Sequence, residues 1–191
     1  VVGTSTSGID NVAIFIQAKA VNDTRHNAVW DDLSSCISNV GKAKQLTQSY
    51  GQIPWLRVKK PRFFRFDVYI TVPMGVGHHA GAALKALGAS NVHTKEETEN
   101  IGMDIKAFIE QLDASSSTKY DYCLKIHSKK NKYWRRQTLE SLCGSPAQVL
   151  TVLNAFSDAK QRIGAVVPQG FNVRKSGDVE RLYRTLRRYY K

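Results

Sequence analysis

The chain has 191 residues, of which 42% are hydrophobic and 9% aromatic, a composition typical of a globular domain that excludes a disordered chain. Its formal net charge of +12 favours an anionic partner such as a nucleotide, a nucleic acid or an acidic membrane surface. No apolar stretch reaches the roughly 18 residues that a membrane span needs, and the first residues show no signal peptide. We therefore expect one domain over residues 1–191, either whole or as a fragment of a longer chain.

The number and spacing of the cysteines bear on the cellular compartment in which the protein is expected. Cys36, Cys123 and Cys143 are odd in number and lack Cys-x-x-Cys spacing. This pattern predicts neither a disulfide framework nor a zinc site, and it favours a reducing environment. The expected location is therefore cytoplasmic.

Strand and helix patterns alternate along the chain, and they are read from apolar runs and from apolar residues at helical spacing. In the first half these patterns predict a strand at Asn11–Gln17, a helix within 25–48, a loop at 50–65, a strand at Phe66–Val72, a helix at His79–Leu87 ended by Gly88, and a short strand at Asn91–His93. In the second half they predict a helix at 102–112, a loop at Ser115–Thr118, a strand at Tyr120–His127, a helix at Trp134–Leu142, a helix opened by Ser145 and Pro146, a buried strand at Arg162–Pro168, and a basic helix at Asp178–Tyr190.

The predicted strands are continuous apolar runs rather than alternations of polar and apolar residues. Such strands, separated by helices, are typical of an α/β fold with a mainly parallel sheet and helices on both faces. Ligands of these folds gather at the carboxyl ends of the strands. Gln17 and Thr71, at the ends of the first two strands, are therefore candidate nucleoside contacts.

The sequence lacks the characteristic motifs of several enzyme classes. No Gly-x-Gly-x-x-Gly follows the first strand, and there is no P-loop, which disfavours dinucleotide enzymes and P-loop NTPases. The absence of Gly-x-Ser-x-Gly disfavours an α/β-hydrolase. His78 and His79 are adjacent, and we interpret them as exposed loop residues rather than as metal ligands.

The stretch from Lys119 to Arg136 contains seven Lys or Arg and one acidic residue. Lys125 and His127 lie inside the apolar pattern of a strand, and Lys129 and Lys130 follow it. Cations at the end of a buried strand suit phosphate, because the strand is rigid and the loop beyond it is open. The alternative is an ordinary solvated lysine surface.

The turn Asn100-x-Gly102-x-Asp104 is a second candidate. Its structural interpretation is a helix cap with a turn glycine. Its functional interpretation is that Gly102 lets the backbone approach a ligand closely, while the Asp104 carboxylate accepts hydrogen bonds from sugar hydroxyls.

Together these motifs resemble the rhamnan synthesis protein F group of glycosyltransferases. The resembling segments are Asn100–Phe108, Tyr120–Lys130, Trp134-Arg135, Leu142–Ser145, Ile163–Pro168 and, as the second strand, Phe66–Thr71. The resemblance covers most of the chain and is firmest from about residue 98 to residue 168.

The resemblance implies a GT-A-like fold and a glycosyltransferase of the hexosyltransferase or rhamnosyltransferase type, active in polysaccharide biosynthesis. The partners would be a nucleoside diphosphate sugar donor and a glycan acceptor. The residues expected at the donor are Gln17, Thr71, Asn100, Gly102, Asp104, Lys125, His127, Lys129 and Lys130. Trp134 and Arg135 are expected at the acceptor, although Trp134 is equally suited to core packing.

Many GT-A enzymes hold Mn²⁺ or Mg²⁺ on the diphosphate with an Asp-x-Asp motif after the central strand. Lys125–Lys129 takes that place here, and cations can neutralise a leaving diphosphate without a metal. We therefore expect no cofactor, with Mn²⁺ or Mg²⁺ as the alternative. The later Gly-x-Met-Phe-Trp-like segment of the family has no counterpart, and no catalytic base is assigned.

The alternative function is a nucleic-acid-binding domain without catalysis. Basic clusters at residues 57–65, 119–136 and 174–191 favour it. The chain has no recognisable nucleic-acid-binding module, however, so no nucleic-acid partner is expected.

Overall fold

A computed structural model of the chain describes residues 9–18, 27–48, 63–98, 103–128, 131–156 and 163–168. The predicted helix at Asp178–Tyr190 and most of the predicted loop at 50–65 lie outside these ranges. The elements in chain order are β1 (Ile9–Gln17), α1 (Asn27–Gln48), β2 (Phe63–Pro73), α2 (Gly77–Ala86), β3 (Asn91–Glu97), α3 (Met103–Ser115), β4 (Tyr122–His127), α4 (Lys132–Cys143) and α5 (Pro146–Ala155).

Among the described residues, four strands form one sheet in the order β3-β2-β1-β4, and every neighbouring pair is parallel. The predicted α/β class with a parallel sheet is therefore confirmed. β1 lies in the interior of the sheet because it pairs with β2 on one side and with β4 on the other. Its residues from Val12 to Gln17 are buried, as the continuous apolar run predicts.

Alternate residues of β1 belong to two different apolar clusters. Ile14 and Ile16 belong to the larger one, which also takes in buried residues of α1, α2, α4 and α5. Phe15 belongs to the smaller one, in which its ring centroid lies 5.5 Å from Tyr69 and 5.5 Å from Phe108 of α3. Successive strand residues point to opposite sides, so the clusters lie on opposite sides of the sheet.

A disulfide joins α1 to α4. Cys36 and Cys143 are bonded with their Cα atoms 5.2 Å apart, and both side chains are buried in the larger cluster. Asn39 Nδ2 also donates to the Cys143 carbonyl at 2.9 Å. The expectation that the cysteines form no disulfide is wrong. The two residues are 107 positions apart, and it is the packing of α1 against α4 that brings them together.

Helix ends follow their sequence signals. Ser145 Oγ accepts a hydrogen bond from the Gln148 amide at 3.1 Å, and Pro146 occupies the first turn of α5, as predicted. α2 stops before Gly88, whose φ of 98° is one that residues with a Cβ rarely adopt.

Strand ends are less well predicted. β2 begins at Phe63, so the last three residues of the predicted loop at 50–65 are strand, and β3 runs to Glu97 rather than ending at His93. The buried strand predicted at Arg162–Pro168 is wrong, because described residues 163–168 form no strand and Val167 is 64% exposed. An apolar run forms a strand only where a neighbouring strand edge bonds it, which its composition does not reveal.

None of the helices in the described part of the chain is both long and apolar enough to cross a membrane.

Candidate nucleotide site at the carboxyl edge of the sheet

The strand order identifies one end of the sheet as the place for a ligand. The chain passes from β1 outward to β2 and β3, and then returns to the other side of β1 to form β4. In open parallel sheets, ligands bind outside the carboxyl ends of the strands where the order reverses. That position lies between β1 and β4. We call the end of the sheet at Gln17, Thr71 and His127 the carboxyl edge.

Three predicted site residues lie side by side at the carboxyl edge. Gln17 of β1 pairs in register with Thr71 of β2 and with His127 of β4. The backbone bonds continue one residue further, since the Ala18 amide donates to the Thr71 carbonyl at 3.0 Å and the Ser128 amide donates to the Gln17 carbonyl at 2.9 Å. The row is therefore held by backbone hydrogen bonds on both sides of β1.

Gln111 of α3 completes this row, and the sequence analysis missed it. Its Nε2 donates to the Ile16 carbonyl at 2.8 Å and to Thr71 Oγ1 at 3.0 Å. Thr71 is 3% exposed, Gln111 6% and Gln17 9%. A glutamine three residues after Phe108, next to the apolar stripe of α3, was the only sequence signal for it.

The β4 side of the edge carries the predicted cations. Lys125 is exposed, and its Nζ lies 4.8 Å from the centre of the Phe108 ring, within the range of a cation–π contact. Lys125 and His127 are two residues apart in one strand and therefore project to the same side. The structure thus brings Lys125 and His127 to the side of the sheet on which α3 packs.

Trp134 lies next to His127. Their ring centroids are 5.8 Å apart in an edge-to-face arrangement, and Trp134 is partly buried. The Trp134 amide donates to Asn131 Oδ1 at 3.0 Å, which caps the start of α4. The first turn of α4 is therefore fixed beside the end of β4.

Arg135 pairs with a carboxylate of α1. Its side chain is 3% exposed, and its Nη2 and Nε lie 2.7 Å and 2.8 Å from Asp32 Oδ2. Arg136 Nε lies 3.3 Å from the other oxygen of the same carboxylate. Arg135 thus joins α4 to α1, and we leave it out of the proposed site. The acceptor contact predicted for it stays a prediction.

Four of the predicted residues, Asn100, Gly102, Lys129 and Lys130, lie outside the described ranges. Asp104 is in the first turn of α3. Lys106 Nζ, nearby in the same helix, lies 3.8 Å from Glu97 Oε1 at the end of β3. The start of α3, and with it the backbone of Asp104, is therefore beside the carboxyl end of β3.

In the turn between β2 and α2, backbone amides already bind the carboxylate of Glu96. Glu96 Oε1 accepts from the Gly77 amide at 2.6 Å. Hydrogen bonds from the Gly77 and Gly75 amides lower the pKa of the Glu96 carboxyl below its ordinary value. A Cβ at Gly77 would lie 2.7 Å from that oxygen. A phosphate would compete with Glu96 here, so the β4 side is the better place for one.

No group of three or more His, Cys, Asp or Glu side chains in the described part of the chain is arranged to hold a metal ion.

No family model, no curated protein and no solved structure matches the chain. The resemblance to the rhamnan synthesis protein F group stays a prediction, and function is inferred from the carboxyl edge.

Proposed function

We propose that the protein is a glycosyltransferase with a GT-A-like fold, in which helices cover both faces of the parallel sheet. It binds a nucleoside diphosphate sugar at the carboxyl edge and transfers the sugar, rhamnose or a similar one, to a glycan hydroxyl. The observation that carries the proposal is the row formed by Thr71, Gln17 and His127 beside the strand-order reversal. Open α/β sheets bind nucleotides at that place.

The diphosphate lies on the β4 side in this proposal. Lys125 and His127 project to one side of β4, and Lys129 and Lys130 follow directly in the chain. Negative charge develops on the diphosphate as the sugar leaves, and fixed positive groups stabilise it. These cations occupy the place of a metal-binding Asp-x-Asp motif, so donor binding is proposed to be metal-independent.

The donor sugar is placed near the start of α3. Asn100, Gly102 and Asp104 precede or open this helix, which begins beside the end of β3. Trp134 is proposed to contact the acceptor because it lies against His127, at the end of the strand that holds the diphosphate. Aromatic rings stack well on sugar rings, whose C–H groups form an apolar face.

A cytoplasmic location is part of the proposal. The Cys36–Cys143 bond counts against it, because disulfides are rare in cytosolic proteins.

Isothermal titration with UDP, dTDP and GDP tests the proposal. Each titration is paired with one containing EDTA, which should leave the affinity unchanged. Changing His127 to Ala should weaken binding by about 1.5–3 kcal/mol, through loss of a charge-assisted hydrogen bond to the diphosphate. His78→Ala is the matched control, since His78 is an exposed histidine on α2.

Two outcomes would contradict the proposal. If the His127→Ala and His78→Ala variants bind nucleoside diphosphates with equal affinity, the proposed diphosphate site is wrong. Binding of oligonucleotides but of no nucleoside diphosphate, with affinity falling steeply as salt rises, would favour the nucleic-acid alternative.

The net charge of +12 is the observation behind that alternative. Within the described part of the 119–136 cluster, Arg135 and Arg136 pair with Asp32. These two cations are therefore engaged within the protein, which favours the glycosyltransferase.

A further inference from the structure

The first turn of α4 exposes an aromatic ring. Tyr133 is 78% exposed, more than any other large hydrophobic side chain in the described part of the chain. The next residue, Trp134, is partly buried and lies beside His127. Tyr133 therefore belongs to the same turn as the residue proposed to contact the acceptor, and packing in the core does not account for its ring.

Two cations share this exposed face of α4. Lys132 and Arg136 are exposed and four residues apart, and Tyr133 and Arg136 are three residues apart. Residues at these spacings are neighbours on a helix, with Cβ atoms about 5–6 Å apart. Lys132, Tyr133 and Arg136 thus form one surface, which we call the α4 patch.

Positive charge exceeds negative charge at the α4 patch. One carboxylate, that of Asp32, faces the guanidinium groups of both Arg135 and Arg136. The contact made by Arg136 uses Nε, one of its five N–H donors, and the side chain is 50% exposed. No described side chain pairs with the Lys132 ammonium. An anion can therefore bind here without displacing an ion pair.

Helix stability does not account for the charge of Lys132. The first turn of α4 carries no acidic residue. The positive end of the helix dipole lies at this turn, so a cation at Lys132 is unfavourable to the helix. A residue that opposes its local structure without a structural gain is expected where a ligand binds.

An aromatic ring beside two cations fits an acidic sugar. The C–H face of the sugar ring stacks on Tyr133, while a carboxylate on the same sugar accepts hydrogen bonds from Lys132 and Arg136. Single-stranded nucleic acids stack on several successive aromatic rings, and a membrane surface takes up several apolar side chains. The α4 patch offers one ring, which favours a glycan.

We propose that the α4 patch binds the acceptor and that the acceptor is an acidic glycan, whose sugars carry carboxylates. The inference rests on the proposed glycosyltransferase function. It extends the acceptor site from Trp134 to Lys132, Tyr133 and Arg136, and it makes the charge of these residues the feature that selects the class of acceptor.

Isothermal titration of the full chain with an oligogalacturonate and with its methyl ester tests the selection. The two ligands contain the same sugars, but only the first is charged, and it should bind about 10-fold more tightly. Lys132→Ala should weaken binding of the oligogalacturonate about 5-fold and leave the ester unaffected, because an exposed ion pair is lost. Tyr133→Ala should weaken binding of both about 5-fold, because stacking does not depend on the charge. Tyr133→Phe keeps the ring and should bind both like wild type.

Lys119→Ala is the matched control. Lys119 is also exposed, but it precedes β4 and lies at the opposite end of that strand from α4. A chain of net charge +12 attracts any polyanion, and this variant loses the same charge as Lys132→Ala. Its affinity for the oligogalacturonate should equal that of wild type.

Three results would overturn the acidic acceptor and leave the proposed function standing. They are equal wild-type affinities for the acid and the ester, binding of neither, and equal losses in Lys132→Ala and Lys119→Ala. Weaker binding of Lys132→Ala and Tyr133→Ala to an oligothymidylate or to phosphatidylserine vesicles, with no change for the oligogalacturonate, would assign the α4 patch to that other partner. Binding of no nucleoside diphosphate would reject the proposed function, and with it the role of an acidic glycan as acceptor, even if the α4 patch binds one.

Discussion

The two sides of the sheet are held by different kinds of interaction. On the side of the larger apolar cluster, α1 and α4 are joined by the Cys36–Cys143 disulfide and by the ion pair of Arg135 with Asp32. On the side of α3, hydrogen bonds from polar side chains, such as those of Gln111, add to the packing of Phe108 against Phe15. The first side resists separation, and the second presents polar atoms whose positions a ligand can use.

The α3 side has a second polar group besides the row at the carboxyl edge. Tyr120 Oη donates to Asp67 Oδ2 at 2.8 Å and lies 2.9 Å from Tyr69 Oη. Asp67 Oδ1 accepts from the backbone amide and the side chain of Asn91, each at 3.0 Å. Such networks hold side chains in one orientation when every member is paired. On the α3 side, the hydrogen bonds therefore fix the orientation of polar side chains. On the α1–α4 side, the disulfide and the ion pair contribute mainly to the stability of the fold.

The disulfide should give the largest effect on stability. Replacing Cys36 and Cys143 together by Ala should lower the free energy of unfolding by about 4 kcal/mol, since the bond closes a long loop in the unfolded chain. Urea unfolding measures the loss, and nucleotide affinity of the folded variant should not change. Cys123→Ala, at the exposed free cysteine, is the control. Thiol titration of the unfolded, unreduced protein should find one thiol; three would show that the bond is absent.

The ion pair between α4 and α1 should give the next largest effect. Arg135→Met should lower the free energy of unfolding by about 3 kcal/mol, because it leaves the Asp32 carboxylate without its closest partner. Adding Asp32→Asn should recover part of the loss, which a double-mutant cycle measures.

An Arg135→Met protein of unchanged stability but weaker glycan binding would instead support the acceptor contact predicted from sequence. It would also remove one of the contacts that join α1 to α4.

Tyr120 should give the smallest effect. Tyr120→Phe should lower the free energy of unfolding by about 1–2 kcal/mol, because Asp67 loses a hydrogen-bond donor. Burial and the hydrogen bonds with Tyr69 and Asp67 raise the pKa of the Tyr120 hydroxyl above its ordinary value of 10.0.

The raised pKa fixes the sign of the pH dependence. The folded state favours the neutral phenol, so the stabilisation is fully present below pH 10 and falls as pH rises above it. The stability difference between wild type and Tyr120→Phe should therefore shrink between pH 8 and pH 10.5, measured by urea unfolding. Tyr133→Phe, at a residue that is 78% exposed, is the control and should show no such change. A constant difference would place the Tyr120 hydroxyl outside the network.

The sequence predicted what depends on local patterns. The ends of β1 and β2, and with them Gln17 and Thr71, follow from continuous apolar runs, and the position of His127 follows from the run in β4. Gln111 could not be predicted as part of the site. Its bond to Ile16 spans 95 residues and depends on how α3 lies across the sheet.

The same limit explains the missed disulfide and the false strand at Arg162–Pro168. Both depend on tertiary contacts. Cys36 forms its disulfide because α4 packs against α1, and the segment at Ile163 would form a strand only if it paired with the edge of a strand. Residue type and spacing in the sequence do not reveal either contact. The hydrogen bond between Gln111 and Thr71 belongs to the same class, since only one of the two residues ends a strand.

The disulfide also has a consequence for the order of assembly. The covalent ring that it closes, from Cys36 to Cys143, contains β2, β3 and β4 but not β1, which lies between β2 and β4 in the sheet. If the cysteines are oxidised first, β1 must insert between β2 and β4 after the covalent ring has already confined both strands. If β1 pairs with them first, the disulfide forms in a sheet that is already assembled. Because β1 precedes the ring in the chain, it is available before the second cysteine has been synthesised, and late oxidation is the productive route.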